Sequence, residues 1–439
     1  MRILVENGCY DLRNIGDIAM LQTAVERLSS LWPHALIEVI TDDPKLLLKY
    51  CPRVKAVPSN GRRIWFKNRK LSGGILGMIP RTAAERFSGI WPLIRNHRPA
   101  VARALLKLNA KYRGIDKEID DLDMFLDALF SADIVVVSGA GFITDSFEDH
   151  TSMVLSLLEA AAENGKMTAM LSQGIGPIEN ELYRARVKKV LASVNLIAIR
   201  EKRTSLPLLN SLEIGNGNLI VTGDDAIEKA YSLRASQPGN AIGVNTRVAK
   251  YSGVEGYHVQ MIRLVLQEEA SNLRCPLIGL PILLRDKKTS DIHTIKRILD
   301  GYNDSDGLEL LYHPEEVMER TAKCRVVVTG SYHPAVFALS QGTPVVAFYN
   351  SPYYKDKFLG LAEQFGCGCE VISLNDKRFM SHLTEAINDA WLLAEELRPK
   401  LLEAAEKQIE AGTEAYNRLY EMLESRQSEI EQVLFNACL

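Results

Sequence analysis

Long apolar runs are missing from this sequence. None approaches the roughly 20 residues a helix needs to cross a bilayer, which excludes a helical membrane span as its organising feature. Cysteine is scarce: seven copies, odd in number and irregular in spacing, exclude a disulfide scaffold. The nearest two, Cys367 and Cys369, have one residue between them and no second pair to complete a zinc site, so no metal is expected. There is no internal repeat, no low-complexity segment and no strong net charge; the formal balance is −3. Nucleic acid is not an expected partner, because no recognition motif accompanies the basic residues. The opening MRILVENGCY runs straight into a strand and a glycine turn without a signal-peptide pattern, and a reducing cytoplasm is the expected location.

What is present is the composition of a globular protein, 46% hydrophobic and 24% charged. At 439 residues, two domains are expected. Short apolar runs alternate with amphipathic stretches, the pattern of parallel sheets wrapped in helices. Strands are expected near residues 3–5, 36–40, 134–138, 168–172, 196–199 and 219–221, with helices near 16–32, 116–130 and 154–162. The stretch Tyr231 to Asn240 contains Ser, Pro and Gly and then the rhythm restarts, with strands near 241–245, 277–284, 308–311, 325–329 and 344–348. We therefore expect two Rossmann-like α/β domains facing a central cleft. The first covers residues 1–235 with a basic insert at about 61–113, and the second covers 236–385. A helical segment, 386–439, is expected to pack back on the first domain, with Pro399 kinking or breaking it.

The insert concentrates the charge. Between Gly61 and Arg113 there are thirteen Lys/Arg and one acid, Glu85, interleaved with Trp65, Phe66, Phe87 and Trp91. Such a segment suits peripheral contact with an anionic membrane or a lipid-linked diphosphate. A helical hairpin packed on its own domain explains it slightly better.

Ligands in open α/β sheets bind beyond the strand C-termini, where helix N-termini favour anions. Five motifs fall there. Gly8 to Asp17 joins a strand to a helix, and its Asn14 and Asp17 suit either a sugar hydroxyl or a helix cap. The spacing is not GxGxxG, so a dinucleotide fingerprint is not supported. Gly139 and Gly141 flank one small residue in a second glycine loop, leaving room for a ligand or a neighbouring loop. Gln173 and Gly174 open Gln-Gly-Ile-Gly-Pro, suited to orienting a polar substrate. Arg247 lies just past a strand, where a guanidinium can clamp a carboxylate or phosphate. Finally, Ser331, Tyr332 and His333 start a helix that has Pro334 in its first turn, and the histidine is placed to serve as acid or anion contact.

In order and register these blocks resemble the polysaccharide pyruvyl transferase family. Asn14 to Asp17 is similar to its N-x-G-D opening, Gly139–Gly141 to its glycine loop and Gln173–Pro177 to its Q-G-I-G-P. Ala198 to Lys202 is similar to its "hydrophobic, Arg, acidic, Lys/Arg" segment, and Val221 to Asp225 to its aspartate turn. The resemblance implies a GT-B-like fold and transfer of a pyruvyl group from phosphoenolpyruvate, as co-substrate without a further cofactor, to sugar hydroxyls. It places the enzyme in cell-surface polysaccharide synthesis, with a saccharide or lipid-linked oligosaccharide as acceptor. It also implies His333 as acid or phosphate contact, Arg247 as anion clamp and Asp17 as base or acceptor contact. One departure stands out. The family commonly has Arg two residues before the histidine, and here that position is Ser331. Either another cation such as Arg200, Arg285 or Lys355 substitutes, or the donor differs.

Two other readings stay open. A glycosyltransferase or sugar-nucleotide enzyme of the same architecture could use His313 to Glu316 against a ribose, although a helix cap explains that motif better. A non-catalytic glycan-binding homologue could have lost its donor site.

Overall fold

Apolar runs bounded by Gly, Asn and Pro form strands that are buried on both faces, as parallel sheets require. The computed structural model describes residues 1–67, 90–91, 93–95, 98–215, 217–249, 252–284, 290–306, 308 and 313–438. Eight strands make the first sheet: β1 (Arg2–Glu6), β2 (Leu36–Thr41), β3 (Lys55–Pro58), β4 (Ile134–Val137), β5 (Ala140–Ile143), β6 (Met167–Ile175), β7 (Leu196–Ile199) and β8 (Leu219–Val221). Their order is β3-β2-β1-β4-β6-β7-β8, with β5 paired to β6. The second sheet holds β9 (Ala241–Asn245), β10 (Leu277–Gly279), β11 (Ser305–Asp306), β12 (Cys324–Thr329), β13 (Val345–Tyr349) and β14 (Cys369–Ser373). It is ordered β11-β10-β9-β12-β13-β14. The strand pairings are parallel in both sheets.

In each sheet the order reverses once, between β1 and β4 and between β9 and β12. Connections leave such a point toward opposite faces, which opens a crevice beyond the strand C-termini. The two crevices meet. Ile15 N–H donates to the Ile282 carbonyl at 2.9 Å and Leu284 N–H to the Arg13 carbonyl at 2.8 Å. The Tyr353 hydroxyl donates to the Gly141 carbonyl at 3.0 Å. This is the two-domain, cleft-centred GT-B-like arrangement that the strand rhythm implies.

Differences from the expected elements have local causes. The strands β3 and β14 are short edge strands without a continuous apolar run, and β5 lies inside what reads as a glycine loop. The run 277–284 stops being a strand at Gly279 because Pro281 cannot donate to a ladder. Residues 282–284 instead cross over to pair with residues 13–15 of the first domain. Most of the run 308–311 lies outside the described residues. The last helix, Phe379–Cys438, passes through Pro399 without a break. Apolar packing on both sides of that proline outweighs its lost hydrogen bond: Leu383 and Ile387 are buried in the second domain's core, while Leu401, Ala405, Tyr416, Leu419 and Leu423 join the core containing the helix Ile15–Leu31. Where it is described, the basic insert packs one face inward and leaves Ile90, Leu93, Val101, Leu108 and Tyr112 exposed. Trp65 and Trp91 are each 1% exposed, and Arg62 is buried against Glu6 at 2.6 Å. Arg103 pairs with Asp123 at 2.8 Å. Residues 68–89 of the insert lie outside the described part. No described helix is long and apolar enough to cross a membrane.

Candidate active site

A cavity of about 310 Å³ lies between the two domains, where the two crevices meet. The first domain contributes Gly8, Asn14, Asp17, Gly141 and Arg200; the second contributes Arg247, Ser331, Tyr332, His333, Tyr353 and Lys357. Each polar group arrives at the end of a strand or the first turns of the helix that follows. Asn14 caps the helix Ile15–Leu31, accepting from Gly16 N–H at 3.1 Å, and this sets Asp17 in the first turn. Ser331 precedes the helix Tyr332–Ser340, and Ser351 caps the helix Pro352–Phe365 that carries Tyr353 and Lys357.

Gly16 explains why glycine sits in the opening motif. A β-carbon there would stand 2.0 Å from the His333 ring, so the first domain's helix can approach the imidazole only without one. Gly141 plays the same part for cations: its β-carbon would meet Arg200 at 2.4 Å and Lys357 at 2.9 Å.

The cavity's cations are paired with carboxylates, with one exception. The Arg200 guanidinium, 2% exposed, donates to Asp224 at 3.0 Å and lies over the Tyr332 ring at 4.3 Å. Gln364 of the second domain donates to the Arg200 carbonyl, so the residue is fastened from both sides of the cleft. Arg247 donates from Nε and Nη2 to the two oxygens of Asp291, at 2.8 and 3.0 Å. Lys357 donates to the Tyr353 hydroxyl and sits 4.1 Å from that ring's centroid. Among the described residues, no carboxylate lies within 4 Å of its ammonium.

Electrostatics follow from that crowding. Burial, reinforced by Arg200, Lys357 and Arg247, holds the His333 imidazole well below its ordinary pKa and therefore neutral. Burial and Arg200 likewise depress the Lys357 ammonium, although Asp17 and Asp224 pull it up. Asp17 is pushed up to about 6 by burial, against the pull of Lys357 and Arg200. Burial also raises Asp224 despite its pairing with Arg200.

The structure brings Asn14, Asp17, Gly141, Arg247, Ser331, Tyr332 and His333 into one cavity. It leaves three other expected residues off the cavity wall. Gln173 is fully buried, and its amide donates to the carbonyls of Ser138 at 2.7 Å and Leu171 at 2.9 Å, while its Oε1 has no hydrogen-bond partner among the described residues. Gly139 packs under Met20, and Gly174 backs Arg200. Arg247 lines the wall, but Asp291 already occupies two of its donors. Lys355 is exposed and is not on the wall; Arg285 lies outside the described residues. His313 and Glu316 form a reciprocal helix cap, the simpler of their two readings. Residue-by-residue reading missed Asp224, Tyr353 and Lys357. The signal was available for the last two, since Ser351-Pro352 opens a helix two residues past β13, the same grammar that flagged Ser331.

Comparison with known proteins agrees with this geometry. Two facing parallel-sheet domains with charged residues in the shared cleft define a GT-B-like α/β protein. A putative UDP-N-acetylglucosamine 2-epimerase from Listeria monocytogenes superposes with a TM-score of 0.58 at 14% identity, covering 98% of this chain and 97% of its own. The UDP-GlcNAc 2-epimerase of Methanocaldococcus jannaschii gives 0.55 at 11% identity, covering 95% and 99%. A glycosyltransferase from Rickettsia africae gives 0.52 at 10% identity, covering 96% and 98%. At these identities the likeness is one of fold. No curated protein matches the chain in sequence. The polysaccharide pyruvyl transferase family model matches residues 14–352, and the chain belongs to that family.

Proposed function

We propose that this protein transfers a pyruvyl group from phosphoenolpyruvate to two hydroxyls of a sugar, forming a ketal and releasing phosphate. The observation that supports this most is the convergence of Arg200, Arg247 and Lys357 from both domains around a neutral His333 in one small cavity. A compact donor with a carboxylate and a phosphoryl group suits three clustered cations.

The chemistry assigns tasks to groups already in place. The donor's methylene carbon takes a proton, and the adjacent carbon, now oxocarbenium-like, is attacked by one sugar oxygen. Phosphate then leaves and the second oxygen closes the ketal. Of the two hydroxyl protons released, one replaces that given to carbon and one departs with phosphate. His333 gains its proton when donor anions offset the cations around it, and it then serves as the acid. Asp17, largely ionised at neutral pH, accepts the proton of the attacking hydroxyl. Arg200, held by Asp224, faces the donor as a preorganised positive charge that needs no rearrangement.

The test is to incubate protein, phosphoenolpyruvate and a panel of glycan acceptors, following phosphate release and acceptor mass. We expect a mass gain of one pyruvate less one water, abolished by His333→Ala. Release of phosphate without that adduct, or wild-type turnover in His333→Ala, sinks the assignment. We further propose a cytoplasmic enzyme acting on a saccharide or lipid-linked acceptor.

A further inference from the structure

The helix Tyr332–Ser340 begins at the cavity with three consecutive side chains whose polar atoms are buried and without a hydrogen-bond partner: Ser331 Oγ, Tyr332 OH and His333 Nε2, the last standing 3.9 Å from Asp224. All three residues are more than nine-tenths buried, at 2%, 6% and 8% exposure. Ser331 occupies the capping position, yet its hydroxyl makes no capping bond. A serine there normally turns its oxygen back to its own helix. Buried polar atoms without partners are costly, so several adjacent ones on residues that line one cavity point to a ligand that satisfies them.

Opposite them stands Lys357, whose charge differs from that of its neighbours. Arg200 and Arg247 each have a carboxylate at 3.0 Å or less, whereas Lys357 has a phenol and two ring faces, Tyr353 at 4.1 Å and Tyr332 at 5.8 Å. A helix N-terminus, hydroxyl donors without partners and an ammonium with no carboxylate in ion-pair contact together make an anion site.

We infer that Ser331, the start of the helix Tyr332–Ser340 and Lys357 form the subsite for the donor's phosphoryl group, with Lys357 supplying the charge that Ser331 does not. Arg200 and Arg247 are left to the carboxylate end. The inference rests on the donor assignment for its name, but the subsite requires only a phosphoryl anion. It also accounts for the serine: with the charge supplied by Lys357, position 331 need contribute only a hydroxyl donor.

Titration calorimetry with phosphoenolpyruvate, inorganic phosphate and pyruvate tests it, because pyruvate keeps the carboxylate and lacks the phosphoryl group. Lys357→Met should weaken phosphoenolpyruvate and phosphate binding at least tenfold and leave pyruvate binding within twofold. Ser331→Arg placed in the Lys357→Met background should recover most of the loss. Unchanged phosphate affinity in Lys357→Met, or equal losses for pyruvate and phosphate, overturns the subsite. Should Lys357→Met fail to fold, Lys357→Gln and Ser331→Ala carry the same comparison, with Ser331→Ala expected to lose about threefold for phosphate alone; no loss there overturns it. If the wild type binds phosphate, in a Lys357-dependent way, but not phosphoenolpyruvate, the subsite stands and the pyruvyl donor falls.

Discussion

Gly16 and His333 come from different domains, and they touch so closely that a β-carbon on the glycine would overlap the imidazole at 2.0 Å. Two ring atoms lie at that distance, and neither can retreat without displacing the helix Tyr332–Ser340. Gly16→Ala should therefore cost about 1–3 kcal/mol of stability, as overpacking does. Activity should fall further than stability explains, by at least tenfold at a temperature where the variant is fully folded. Denaturant midpoints beside initial rates decide this; an alanine variant with normal rates would show that the contact is loose.

Arg200 and Asp224 form a pair buried almost completely from water. Removing one partner strands the other charge in the interior, which costs about 3–5 kcal/mol. Arg200→Met should thus lower stability by that order, and adding Asp224→Asn should recover much of it. Activity should not return in the double variant. A double variant as unstable as the single one would mean that the pair is not coupled.

Asp17 keeps its proton to about pH 6 in the native protein, against 3.8 for an ordinary aspartate. Between those values the native state binds more protons than the unfolded chain, so this group's contribution to stability falls as pH rises through the window. The charges facing it are Lys357, Arg200, Asp224 and Arg247. Asp17→Asn should accordingly gain on the wild type from pH 4 to 6.5, by on the order of 1–2 kcal/mol for a part-exposed group. A difference that stays flat with pH would place the carboxylate in water.

Donor binding should take up protons. His333 and Lys357 are both held low by burial and by Arg200, with Lys357 and Arg247 adding to the effect on the histidine. An anion among them raises both, so affinity should weaken as pH rises above neutrality. Calorimetry in two buffers of different ionisation enthalpy measures the uptake directly. Proton release would reverse the scheme.

Tyr416, on the terminal helix, donates to Asp225 at 2.8 Å, and Asp225 also meets Arg27 at 3.2 Å. Tyr416→Phe leaves a buried carboxylate short of one donor and should cost about 1.5–3 kcal/mol. Thermal unfolding checks it. A change below 0.5 kcal/mol would show that Arg27 alone suffices.

Much of the architecture was legible because a buried parallel strand is an unbroken apolar run: Ile134 to Val137 and Leu196 to Ile199 announce themselves. Edge strands such as Lys55–Pro58 and Cys369–Ser373 are half covered and carry no such run. Strand-then-turn reasoning puts Asp17, Arg247 and His333 at strand ends, and the structure brings all three to the cavity between the domains. The Gln173 amide looks suited to a substrate in the sequence, whereas in the fold its donors are committed to backbone carbonyls. Lys357 was overlooked because a lysine in Tyr-Tyr-Lys-Asp-Lys reads as solvated helix surface. The approach of Gly141 and Arg200 from the other domain, with the Tyr332 and Tyr353 rings, encloses it.

The helix Phe379–Cys438 threads its first half into one core and its second half into the other. Synthesis proceeds from the amino end, so the earlier-made lobe emerges with a flank whose cover has not yet been translated. Chains stalled near residue 380 should remain open to proteases along the helix Ile15–Leu31, and translation of the helix Phe379–Cys438 should close that flank.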